Sequence, residues 1–140
     1  MLKKIVVATD GSDHAKKAIE FASDIASRYE AQMYIIHVVF PLPSMLRGYD
    51  IDKIEENQHK VAGEIIAAAE SEVKKKGLED YQSLILDGDP AREIIEFARS
   101  QDVDMIVMGS HGAGKAEMLL LGSVSHKVCH LADCTCVTVK

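Results

Sequence analysis

Residues 105–123 read Met-Ile-Val-Met-Gly-Ser-His-Gly-Ala-Gly-Lys-Ala-Glu-Met-Leu-Leu-Leu-Gly-Ser, and the fold follows from how this stretch is parsed. Met105 to Met108 is a short apolar run closed by a glycine, as in a strand buried on both faces of a parallel sheet. Glycines stand at 109, 112, 114 and 122. Glycine lets a backbone approach a ligand closely and adopt positive φ. Gly122-Ser123 then predicts a helix start, with Ser123 as N-cap and Val124, Val128 and Leu131 along one face. Strand, glycine loop and helix start, in that order, predict a phosphate site over 109–124. A helix N-terminus presents unpaired N–H groups at the positive end of the helix dipole.

Two spacings compete within the stretch. Gly109-x4-Gly114-Lys115 nearly makes a P-loop, but the hydroxyl that would hold Mg²⁺ is replaced by Ala116. A P-loop helix would also begin at the lysine, and Ala116-Glu117-Met118 offers no clear cap. The other spacing is Gly109-x2-Gly112-x9-Gly122-Ser123, three glycines and a serine at fixed offsets directly after a strand.

Working outward, the chain of 140 residues suits one domain, residues 1–140, with 47% apolar and 27% charged residues. A formal net charge of −6 and the lack of a basic tract argue against nucleic-acid or anionic-membrane binding. No apolar run approaches the roughly 20 residues of a membrane span. The basic start Met1-Leu-Lys-Lys4 precedes too short an apolar run for a signal peptide, so a cytoplasmic location is expected. The three cysteines, Cys129, Cys134 and Cys136, cluster near His126 and His130 without the paired spacing of a zinc finger. They read as core or edge cysteines, and no metal site is expected of them.

The remaining chain alternates strands and helices. Strand one spans Lys3 to Thr9 and is apolar on both faces, hence central. Asp10-Gly-Ser-Asp13 turns into helix one, capped by Ser12 or Asp13, with Ala15, Ala18, Ile19, Ala22, Ile25 and Ala26 on one side. Strand two spans Gln32 to Val39, and a loop marked by Pro41 and Pro43 follows. Helix two runs from about Asp50 to Lys76, with Ile51, Ile54, Val61, Ile65, Ala68 and Val73 facing the sheet and Gly77 ending it. Strand three is Tyr81 to Leu86. Asp89 caps helix three and Pro90 takes its first position, with Ala91, Ile94, Ile95 and Ala98 apolar. Strand four is Val103 to Met108 and strand five Thr135 to Val139. This alternation predicts a three-layer α/β sandwich.

Ligands of such sheets sit beyond the carboxyl ends of the strands, where the strand order reverses. Thr9-Asp10-Gly11, Val38-Val39-Phe40 and Gly109-Ser110-His111-Gly112 leave strands one, two and four, and would form one crevice if strands one and four are neighbours. Val-Ala-Thr-Asp-Gly-Ser at 7–12, His37-Val38, Gly88-Asp-Pro-Ala91, Asp104 to Gly112 and Gly122-Ser-Val124 together resemble the motifs of the universal stress protein family over nearly the whole chain. That resemblance implies a five-stranded parallel sheet in the order 3-2-1-4-5 and membership of the branch that binds ATP. It also implies residue roles. Asp10 and Gly109 would contact the ribose, and the Val38 backbone would meet the adenine. Gly112, Gly122, Ser123 and Val124 would hold the phosphates, with Thr9 and Met108 completing the site. Cys134-Thr-Cys136 stands where the family often has a proline before the last strand.

A carboxylate accepts from ribose hydroxyls, and a serine at a dipole end donates to phosphate. Asp10 alternatively only initiates a turn, and Lys115 is either a phosphate contact or a solvated lysine. No catalytic set is visible, so the expectation is a regulatory module binding ATP with Mg²⁺ or Mn²⁺, any hydrolysis being slow. The alternatives are a nucleotide hydrolase or phosphotransferase using Gly109–Lys115, and an interaction module that holds another adenine nucleotide or none. In the order 3-2-1-4-5, strand five is an open edge, which predicts a homodimer through it.

Overall fold

Apolar runs too short for helices alternate with longer segments of helical period, and the chain folds accordingly. The computed structural model describes residues 1–42, 48, 50–110 and 115–140, with 115–121 described by backbone alone. The elements are β1 (Lys4–Ala8), α1 (Asp13–Tyr29), β2 (Gln32–Val39), α2 (Ile51–Lys75), β3 (Tyr81–Asp87), α3 (Pro90–Ser100), β4 (Met105–Gly109), α4 (Lys115–Leu131) and β5 (Thr135–Val139). The sheet has five strands in the order β3-β2-β1-β4-β5, every neighbouring pair parallel, as expected.

Side chains alternate across the sheet with a period of two, which sends each strand into two cores. Ile5, Val7, Met33, Ile35 and Val107 pack with Ala18, Ile19 and Ala22 of α1 and with Ile66, Ala69 and Val73 of α2. Val6, Tyr34, Ile36, Ile106 and Met108 pack on the opposite face with Ala91, Ile94 and Ala98 of α3 and Val128 of α4. Tyr34 meets Phe97 edge to face, ring centroids 5.1 Å apart. Ile5, Val6 and Val7 are all fully buried, as a central strand requires.

The buried face of α2 differs from the expected one. Ala62, Ile66, Ala69 and Val73 are buried, whereas Val61 and Ala68 are exposed and Ile51, Ile54 and Ile65 are half-buried. Two apolar stripes lie one residue apart on this helix, and both satisfy helical spacing. The sheet takes the one formed by Ala62, Ile66, Ala69 and Val73. Strand β4 begins at Met105, two residues later than the apolar run suggests. Asp104 closes the gap differently: its carboxylate accepts from the backbone N–H groups of Lys3 and Lys4 at 2.8 and 2.9 Å.

The chain moves outward from β1 through β2 to β3, then crosses back to place β4 on the other side of β1. The strand order therefore reverses between β1 and β4, and crevices form at such reversals.

Candidate functional site

Beyond the carboxyl ends of β1 and β2 lies a cavity of about 480 Å³, within the range of small-molecule sites. Each wall has a local cause. Ala8, Thr9 and Asp10 close the floor as β1 ends, and Ile36, His37, Val38 and Phe40 contribute from β2. Asp89, Pro90 and Ile94 enter from the N-terminal end of α3, and Ser123 and Val124 from α4. The lining is mostly apolar, with carboxylates at Asp10 and Asp89; no lysine or arginine lines it among the described residues.

The floor is held by short-range hydrogen bonds. The Thr9 N–H donates to the Ile36 carbonyl at 2.8 Å, extending the β1–β2 ladder past the strand end. Thr9 Oγ1 accepts from the Gly11 N–H at 3.2 Å, and Asp10 Oδ1 accepts from the Ser12 N–H at 3.0 Å. These are the side-chain turns that short polar residues make with their own backbone. Ser12 Oγ then accepts from the Ala15 N–H at 3.2 Å and caps α1. Asp10 thus initiates the turn with one carboxylate oxygen and also lines the cavity. Gly11 has φ +82°, and a Cβ there would stand 3.1 Å from Ile65 Cγ1, so the turn demands glycine.

The site residues expected from sequence, Gly122 apart, divide into three groups. Thr9, Asp10, Val38, Ser123 and Val124 do line one cavity. Met108 is buried in the core on the α3–α4 side, and Gly109 lies against α1. A Cβ on Gly109 would stand 2.8 Å from the Ala15 nitrogen and from the His14 carbonyl carbon, so helix packing alone requires this glycine. Gly112 lies outside the described residues, as does most of the loop after Phe40.

The expected start of the last helix is corrected. Helix α4 begins at Lys115, about two turns before Ser123, so Gly122 and Ser123 lie inside it. Ala116 to Leu121 is a run of strong helix formers, and one interior glycine costs only about 1 kcal/mol against it. In a helix that runs through them, the N–H groups of 122–124 point to carbonyls four residues earlier. They are not a free helix terminus, and Ser123 is not an N-cap. The helix start at Lys115 is where a P-loop would place it, but Ala116 still lacks the hydroxyl that such a loop uses for Mg²⁺.

Asp89, Pro90 and Ile94 were not among the expected ligands. Their sequence signal was structural: Asp89 accepts from the Arg92 N–H at 3.0 Å as N-cap and Pro90 opens α3, as expected. Only the packing of α3 on β2 brings them to the cavity.

Elsewhere, His126 and His130 stack on α4 with centroids 6.5 Å apart, near exposed Cys129. The Cys136 thiol donates to the carbonyls of Val128 and Cys134 at 3.8 and 3.7 Å. Burial first, and then the neighbouring Cys129 and Cys134, push its pKa up to about 12; burial also raises that of Cys134. Among the described residues no three His, Cys, Asp or Glu side chains are placed to hold a metal, and no helix is long and apolar enough to cross a membrane.

The family model of the Universal stress protein family matches residues 1–140. The chain belongs to that family. Universal stress protein YxiE of Bacillus subtilis (strain 168) is 34% identical to it over 149 aligned positions, covering 100% of both chains. Among solved structures, a universal stress protein in complex with cAMP is 28% identical, with a TM-score of 0.76 over 99% of this chain and 97% of that one. The universal stress protein of Archaeoglobus fulgidus in complex with dAMP is also 28% identical, with a TM-score of 0.71 over 100% and 98%. Those two structures hold adenine nucleotides on the same fold.

Proposed function

We propose that this universal stress protein is an adenine-nucleotide-binding regulatory module whose ligand is ATP, and that it works as a homodimer paired through β5. The observation that carries the reading is the apolar cavity at the carboxyl ends of β1 and β2, with the Asp10 carboxylate on its floor. An apolar slot with few convergent polar groups suits a base and a sugar. The ribose hydroxyls donate to Asp10, and the base lies against Val38 and Phe40. Without a cation in the described lining, the phosphates point out of the cavity. Mg²⁺ or Mn²⁺ takes oxygen ligands and comes with the phosphates. The role is binding rather than catalysis, and any hydrolysis is slow. The cAMP and dAMP complexes of relatives support the adenine class.

Calorimetric titration with ATP, ADP, AMP and cAMP, each with and without Mg²⁺, tests this. One saturable site per chain is expected. Ala8→Leu, which fills the floor of the cavity, should weaken binding at least about tenfold, or 1.4 kcal/mol, while the circular dichroism spectrum is kept. No saturable binding by the wild type at millimolar nucleotide would overturn the reading.

A further inference from the structure

Asp89 occupies an unusual place for a helix cap. Its Oδ2 accepts the Arg92 N–H at 3.0 Å, which leaves Oδ1 with no hydrogen bond from any described residue. The residue also lines the cavity, at the side where Val38 and Phe40 form the apolar wall. The loop that carries it is fixed there. The Gly88 N–H donates to the Val39 carbonyl at 3.0 Å, tying the start of α3 to the end of β2. Gly88 has φ +146°, a conformation that favours glycine at this turn. Arg92 does not neutralise the carboxylate at hydrogen-bond range, because its Nε is paired with Glu96 Oε1 at 3.0 Å. The exposed carboxylate of Asp89 therefore stands at the rim of an apolar slot with one oxygen left to accept a hydrogen bond. Asp10, the other carboxylate, sits at the far end, beside the β1–β4 reversal.

We propose that Asp89 is the base-selecting residue of the site, accepting a hydrogen bond from the exocyclic 6-amino group of adenine while Asp10 serves the sugar. The inference rests on the reading of the cavity as an adenine-nucleotide site and assigns its specificity. A carboxylate accepts and never donates while ionised. It rewards an amine at the base edge and gains nothing from a hydrogen in the same place. A charge-assisted hydrogen bond of this kind is among the stronger ones proteins make.

The test compares ATP with purine riboside triphosphate, which differs only in carrying hydrogen for the 6-amino group. Both are titrated into the wild type, Asp89→Asn and Asp89→Ser. Asparagine and serine cap helices about as well as aspartate, so α3 is retained and melting temperatures should stay close. In Asp89→Asn the single amide oxygen caps Arg92, and the amide nitrogen, a donor, faces the slot. The wild type should prefer ATP by roughly tenfold or more, and both variants should bring the ratio to within about threefold by weakening ATP alone. A wild type that binds both nucleotides equally would overturn the inference, as would variants that keep the wild-type ratio. Tighter wild-type binding of GTP than of ATP would also overturn it, since guanine offers a carboxylate two donors on another edge. If the wild type binds no adenine nucleotide at all, the reading of the site itself fails, an outcome distinct from an unchanged ratio.

Discussion

His37 donates from Nδ1 to the carbonyl oxygen of Thr9 at 2.8 Å, joining the end of β2 to the end of β1 beneath the cavity. A carbonyl only accepts, so Nδ1 carries the proton and, in the neutral ring, Nε2 is left as an acceptor. His37→Leu removes the donor and should cost about 1 kcal/mol of stability. His37→Asn places an amide N–H near the same point and should lose less than half of that. Urea midpoints of the two variants decide it, and equal losses would show that the bond contributes nothing.

Asp104 predicts part of the acid sensitivity. The backbone N–H of Lys3, and then that of Lys4, hold its pKa below the usual carboxylate value. A depressed folded pKa gives stability that is complete above the unfolded value of roughly 3.9 and disappears as pH falls through the folded one. The difference in Tm between wild type and Asp104→Asn should therefore be largest near neutral pH and should close in strong acid. A difference that stays constant down to the acid limit would contradict the ion's role. The group is mostly solvated, so the effect is modest.

The open edge of the sheet gives a third expectation. The Ser110 N–H donates to the Val139 carbonyl at 2.8 Å, which fixes the parity of β5. Val139 and Val137 direct their backbone groups to β4, and Cys136 and Thr138 direct theirs outward. A proline at 137 would damage the sheet itself, whereas Thr138→Pro removes an outward donor only. Light scattering at tens of micromolar should find a dimer for the wild type and a monomer for Thr138→Pro. A wild-type monomer would contradict pairing through β5.

The cysteines should differ in reactivity. The thiolate is the nucleophile, and Cys136 has its pKa pushed up to about 12 while Cys129 is exposed. Iodoacetamide at mildly alkaline pH should label Cys129 first and Cys136 last, by roughly tenfold or more in rate, as read by peptide mass spectrometry. Equal labelling would show that the contacts of Cys136 do not persist in solution.

Most of the architecture was legible because it depends on local pattern. The apolar runs gave all the strands, Ser12 and Asp89 gave the caps, Pro90 gave the first turn of α3, and Gly77, with φ +78°, gave the end of α2. The rest depends on choices that periodicity leaves open. Val61-Ala62 and Ile65-Ile66 offer two adjacent stripes, and only the sheet decides between them. The helix-forming run 116–121 outweighs the glycine at 122, and no spacing rule weighs that contest. Thr9, Asp10 and Val38 were readable as lining the crevice because they leave strand ends at the reversal. Asp89 looked like a cap alone, since its approach to Val38 is made by α3 packing on β2.

Occupation of the cavity beyond β1 and β2 by adenine nucleotide is tested most directly by amide chemical-shift mapping on adding ATP. Shifts should concentrate at Ala8, Thr9 and Asp10, at His37, Val38 and Phe40, at Asp89, and at Ser123 and Val124, saturating together with one affinity. Saturating shifts confined to another surface, such as the lysines at the end of α2, or no shifts at millimolar ATP, would contradict it.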